Sequence, residues 1–240
     1  LAGGCALNSL ANGKIFDHTP FKEVYIQPAS SDAGGALGAA YYLYHQLLGG
    51  EKKFIMKDAY WGPDFNEAEI KDAIGEKQEA LLGCTVMELG SEEEVCDRSA
   101  CLIAEGKILG WFQGRMEWGA RALGNRSILA DPRREEIKNI LNERIKKREW
   151  FRPFAPSILE EKAGEYFQRD YPDNFMSKVS VIKAEKRRLV PAVVHIDGTG
   201  RLQTVSKEKN RIFYRLIEAF NDLTGIPMLL NTSFNENEPI

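Results

Sequence analysis

Cysteine is scarce in this chain, and the four present (Cys5, Cys84, Cys96 and Cys101) show neither C-x-x-C spacing nor a companion histidine cluster. That excludes a structural zinc site, and with no leader pattern it points to a reducing cytoplasm. No apolar run approaches the length needed to cross a bilayer, and no charged n-region followed by an apolar h-region opens the chain. A membrane partner is therefore not expected. The phosphate-binding pattern G-x-x-x-x-G-K-[ST] occurs nowhere, and there is no internal repeat or low-complexity tract. A net charge of -3 denies the chain the broad positive footprint of a nucleic-acid binder.

What is present is globular: 43% hydrophobic and 28% charged residues in a chain of 240, enough for one or two cores. The chain opens on Leu1 and stops at FNENEPI, so it reads as a portion of a longer protein. Its cations are unevenly spread. Arg115, Arg121, Arg126, Arg144, Lys146, Lys147, Arg148 and Arg152 crowd one stretch of an otherwise acidic protein. A local cluster on an acidic body suits a small anion, whereas a polyanion needs an extended positive track.

Periodicity predicts an α/β class. Residues 24–28 read as a short strand, and Asp32 opens a small-residue run that continues with helical spacing through Tyr41, Leu43, Leu47 and Leu48. The polar segment 49–53 marks a boundary near residue 50. Asn66 with Glu69 starts a helix to about Leu82, and Ser91 with Glu94 starts another to about Glu105. Residues 85–89 and 108–113 read as strands. Asp131 before Pro132 predicts a helix start, with the helix running through Ile145. Strands are expected at 179–184, 192–196, 202–205 and 228–230, and a helix at 209–223.

The chemistry concentrates in G-R-M-E-W-G-A-R-A-L-G-N-R-S (114–127) and K-K-R-E-W-F-R-P-F-A-P (146–156). Arginine grips phosphate through a planar fork, and glycine lets backbone amides approach the same oxygens. Arg115, Arg121, Arg126 and Asn125 are candidates in the first segment, with Glu117 orienting a guanidinium. A charged loop is ordinarily just solvated. Here Trp118, Leu123 and Ile128 require packing, and Trp118 itself reads as core. In the second segment Lys147, Arg148 and Arg152 lie among aromatics and prolines, and buried cations need an anion or the carboxylates of Glu143 and Glu149. His195, in H-I-D-G-T-G-R-L-Q, is either a donor to a ligand or a satisfied structural residue. Asn231, in L-L-N-T-S-F-N, offers a neutral donor. Gly3, Gly4 and Asn8 lie in a glycine-rich turn able to present amides to a nucleotide. Asp32 either reaches a metal or caps its helix, and on residue chemistry alone capping is favoured.

The strings GGCALN, QPASSDAGGALGAA, GRMEWGARALGNRSILADPR, FRPFAPSIL, HIDGTGRLQTV and LLNTSFN together resemble the nodulation-type and antibiotic-tailoring O-carbamoyltransferases. The resemblance covers essentially the whole chain and is weakest over 51–105. It implies that residues 1–50 are the tail of an actin/Hsp70-like ATPase domain, and 51–240 a domain like the threonylcarbamoyl-adenylate synthases. The second domain would make carbamoyl adenylate from carbamoyl phosphate and ATP with Mg2+. The first, with an iron-type metal, would move the carbamoyl group to a small-molecule hydroxyl acceptor. Gly3, Gly4 and Asn8 then match a nucleotide-contacting motif and Asp32 a metal ligand. The family's H-x-x-x-H motif is absent here, so acceptor transfer is expected to need the missing N-terminal part of the same chain. Arg121, Arg126 and Arg152 are the expected catalytic groups, acting by charge stabilisation. Two other readings compete: an RNA-modifying or RNA-binding domain related to tRNA threonylcarbamoylation, and a non-catalytic nucleotide-binding module.

Overall fold

A computed structural model describes residues 1–169 and 171–236. Two short helices lead the chain, α1 (Ser9–His18), capped by Asn8, and α2 (Gly35–Tyr42), which runs on into a wider turn over Leu43–Leu47. Then come α3 (Glu67–Glu76), α4 (Glu92–Ala104), β1 (Leu109–Phe112), β2 (Arg126–Ala130) and α5 (Ile137–Ile140). After these follow β3 (Ala155–Leu159), α6 (Ala163–Tyr166), β4 (Val179–Val181), β5 (Thr199–Arg201), β6 (Gln203–Val205), α7 (Arg211–Thr224) and β7 (Met228–Ser233).

Five strands form one mixed sheet in the order β1-β2-β7-β3-β6, antiparallel throughout except for the parallel pair β3–β6. β4 and β5 make a separate antiparallel ribbon. The helices α4 and α7 pack on each other, α4 touching β1 and α7 touching β3 and β7. Their apolar stripes carry Cys96, Ala100 and Ile103 on one and Phe213, Leu216, Ile217 and Phe220 on the other, all fully buried. Together with Leu129, Ile158 and Leu229 they make the main core. Among the described residues no helix is long and apolar enough to cross a membrane.

The chain is of mixed α/β class. The capping box at Asn66 and Glu69 forms with both bonds present, and Ser91 accepts from the Glu94 amide. Several expectations are corrected. The first of these helices stops at Glu76, short of Leu82, and residues 85–89 are exposed and unpaired, so alternation there finds no neighbouring strand. Residues 24–28 join no sheet, and the chain already turns at Pro28. The segment at 192–196 becomes a tight turn over Pro191–Val193. Asp131 does not start a helix at Pro132. Its carboxylate is taken by the Arg133 amide and guanidinium, and the helix begins at Ile137. Two fully buried strands, β2 and β3, escape the pattern altogether, since β2 has no alternation to show and β3 contains Pro156.

Candidate functional site

Where β7 ends, the sheet topology gathers residues far apart in sequence around a recess of about 280 Å³. Arg121 reaches it from the loop before β2, Arg148 and Arg152 from the loop before β3, and Arg201 from the last position of β5. Asn231, Thr232 and Ser233 also line it. Among the described residues no carboxylate lines it. Arg152 pairs with Glu149 at 2.9 Å on the half-exposed rim. Arg121 donates to the Leu7 carbonyl at 3.0 Å, and Arg148 donates through Nε to Asn142 Oδ1 at 2.8 Å with its guanidinium over the Phe154 ring. Among the described residues, Arg121, Arg148 and Arg201 have no ion pair.

The electrostatic consequence is strongest at Arg201. Burial, and then the facing guanidiniums of Arg121 and Arg148, draw its pKa down to about 9. Asp173 offsets this only in part, because its carboxylate is engaged by Ser177 and Lys178. Burial likewise lowers Arg121, and burial followed by Arg152 lowers Arg148. Three like charges held together without a counterion are unfavourable in the free protein, and an anion relieves them.

Two buried polar atoms at this recess lack a partner among the described residues: Arg201 Nε, a donor, and Asn231 Oδ1, an acceptor. The orientation of Asn231 follows from its bonds. Its Nδ2 donates to Ser157 Oγ (2.9 Å), Gln203 Oε1 (3.1 Å) and the Ala122 carbonyl (3.2 Å), all acceptors. Ser157 in turn donates to Gln203, and Gln203 Nε2 donates to the Leu123 carbonyl. The free Asn231 oxygen is thus an acceptor held rigidly in place.

A larger cleft of about 830 Å³ adjoins the recess and shares Pro153, Phe154 and Arg201 with it. Trp150, Phe151 and Ile196 give it exposed apolar walls. His195 lies on it and bonds through Nδ1 to Thr199 Oγ1 at 3.1 Å. Burial, followed by Arg201, lowers the His195 pKa and favours neutral imidazole.

The remaining expected site residues lie elsewhere. Arg126 is engaged by the carbonyls of Gln113, Asn125, Gly114 and Pro63, and it stacks 3.6 Å from the Phe112 ring centre. Glu117 orients no guanidinium. Its Oε1 accepts from the amides of Leu123 (2.7 Å), Asn125 (2.8 Å) and Arg126 (3.2 Å), so this carboxylate occupies the amide nest expected to meet a phosphate. Asn125 bridges the Arg115 carbonyl, Gln113 and Asn210. Arg115 holds the carbonyls of Trp61 and Gly62, and Lys147 pairs with Glu236 at the surface.

At the other end, the Gly3 amide donates to the Ser30 carbonyl, Gly4 begins a short turn, and the Asn8 side chain accepts from the Ala11 amide. Asp32 is exposed at the start of its turn. Among the described residues no three His, Cys, Asp or Glu side chains are gathered to hold a metal. Among the described residues Asp32 stands without companion ligands for an iron-type metal, and none of the residues lining the recess is a carboxylate that could hold Mg2+.

Arg201 was missed by the sequence reading, which took His195 from the same segment. Its only signal is a basic residue closing G-T-G-R in a strand-forming stretch. Asn142, which accepts from Arg148, carried none.

Fold and recess together define an α/β protein in which four arginines and an asparagine amide gather around one small recess. A family model described as the carbamoyltransferase C-terminus matches residues 100–240, and one described as the carbamoyltransferase N-terminus matches residues 1–41. The chain belongs to the carbamoyltransferase family, a family of enzymes. It is 45% identical to nodulation protein NolNO of Sinorhizobium fredii across its whole length, covering 35% of that protein. It is 43% identical to nodulation protein NolO of Bradyrhizobium diazoefficiens, again across its whole length, covering 44% of that protein. Against nodulation protein U of the same organism the identity is 37% over 98% of the chain and 38% of the relative. The chain thus spans less than half the length of these relatives.

Proposed function

We propose that the arginine recess binds carbamoyl phosphate and that the adjoining aromatic cleft takes the nucleotide of ATP. The observation that carries this reading is that two residues lining one recess each keep a buried polar atom without a partner among the described residues, Arg201 Nε as a donor and Asn231 Oδ1 as an acceptor. A plain phosphate answers only the first. Carbamoyl phosphate answers both, its phosphate on the guanidiniums and its amide N–H on the asparagine. The cleft shares Arg201 with the recess, so the α-phosphate of a nucleotide seated there lies next to the carbamoyl group.

The reaction is then formation of carbamoyl adenylate: water cleaves carbamoyl phosphate to phosphate and carbamate with release of a proton, and a carbamate oxygen then attacks the α-phosphorus of ATP, expelling pyrophosphate. Arg121, Arg148 and Arg201 hold and neutralise the anions, as phosphoryl-type transfers require. Mg2+ enters on the nucleotide. On this reading residues 51–240 are the adenylate-forming unit of threonylcarbamoyl-adenylate-synthase type. Residues 1–50 are the tail of an actin/Hsp70-like transferase domain, whose remaining chain supplies the metal and the hydroxyl acceptor site. RNA recognition gains no support, since the uncompensated cations converge on a small recess.

Calorimetry with carbamoyl phosphate tests the assignment. The expected result is saturable binding that Arg201→Ala and Arg121→Ala each weaken about 10- to 100-fold, the worth of one charged hydrogen bond. Pyrophosphate release from ATP should depend on carbamoyl phosphate. No binding, or binding unchanged in both variants, rejects the site.

A further inference from the structure

α5 does not end in an ordinary turn. Its last residues widen into a π-type turn over Leu141–Ile145, a local insertion that frequently accompanies a functional site. The widened turn places Asn142 wholly out of solvent beneath the loop that carries Arg148 and Arg152. The chain then reverses through Lys147, whose φ of +47° lies in the left-handed region, and the Arg148 amide returns to the Asn142 carbonyl at 3.0 Å.

The Asn142 side chain holds both arginine positions at once. Its Nδ2 donates to the carbonyls of Trp150 and Arg152, each at 3.0 Å, and its Oδ1 accepts from Arg148 Nε at 2.8 Å. Held by Nε alone, Arg148 keeps its terminal N–H groups for the recess. A neutral amide suits this task. It fixes the guanidinium without cancelling its charge, whereas a carboxylate in the same place would form an ion pair.

We propose that Asn142 is a positioning residue, which sets Arg148 and the Arg152 backbone at the geometry that captures an anion. The inference rests on the recess being an anion site, and binding of inorganic phosphate measured by calorimetry separates the two claims. Wild-type protein should bind phosphate, and Asn142→Ala should weaken it about tenfold. In an Arg148→Ala background the same substitution should cost far less, because the group it orients is gone. A merely structural asparagine would give the same fold-loss in both backgrounds. Should Asn142→Ala fail to fold, Asn142→Asp decides in the same two backgrounds: it loses the donor bonds to Trp150 and Arg152 but keeps the Arg148 contact and neutralises that arginine, so it should weaken phosphate far more with Arg148 present than in Arg148→Ala. Equal losses in the two backgrounds, or wild-type affinity in Asn142→Asp, overturns the positioning role while leaving the site intact. A wild-type protein that ignores phosphate overturns both.

Discussion

At the scale of single residues, arginines that look alike in sequence divide into two physical kinds. Arg126 is satisfied by four main-chain carbonyls, whereas Arg201 keeps a buried N–H with no partner among the described residues. Replacing Arg126 by Ala strips those carbonyls of their donor and is expected to cost roughly 3 kcal/mol of stability, read by chemical denaturation. Phosphate affinity should hold within about twofold, since Arg126 lies outside the recess. Arg201 should behave in the opposite sense. Its depressed pKa means that the free folded protein binds fewer protons than the unfolded chain above about pH 9. The penalty of holding it charged is fully present below that pH and fades as pH rises through it. Arg201→Met should therefore stabilise the free protein at pH 7–8, by less at pH 10, while abolishing the fall in anion affinity expected of the wild type as pH rises through about 9. Calorimetric titrations over pH 7.5–10 check the affinity, and denaturation at the two pH values checks the stability. The segment of clustered cations was visible in the sequence, but its division into satisfied and unsatisfied groups was not. That division depends on which carbonyls the fold brings within 3 Å, and spacing along the chain does not report it.

At the scale of elements, local chemistry was legible wherever the element depends on itself. The caps of α3 and α4 and the strong apolar stripe of α7 are such cases. What failed were segments whose state is decided by a distant neighbour. Residues 85–89 have the alternation of a strand and no partner, while β3 has its partners in β7 and β6 despite Pro156. The loop before β2 shows the same dependence. Glu117 draws three amides onto one oxygen, and Gly124 crosses at φ +103° so close to Phe213 that an added Cβ would meet its ring at 2.2 Å. Glu117→Gln should lower stability by about 1–2 kcal/mol through loss of charge-assisted bonds. Gly124→Ala should lower it by more, about 3 kcal/mol, from both the clash and the backbone conformation. Differential scanning calorimetry of the two variants orders them.

At the scale of the whole molecule, the recess is a product of topology. Arg121, Arg148, Arg201 and Asn231 come from four separate stretches, and only the placement of β7 between β2 and β3 unites them. Filling it should stabilise everything that meets there. At a hundredfold excess of carbamoyl phosphate over its Kd the gain is about 2.7 kcal/mol. For a chain of this size that raises Tm by about 5–10 °C, and the rise should fall to about half or less in Arg201→Ala. The order of strands has a further consequence for biosynthesis. β7 is translated last of the seven yet sits at the sheet's centre, so the β1–β2 hairpin and the β3–β6 pair share no neighbour until the ribosome has passed Ser233. Such long-range closure is slow relative to local pairing. The two half-sheets must therefore wait, apolar edges unsealed, for a strand that arrives after both, and the arginine-lined recess is completed in that same step.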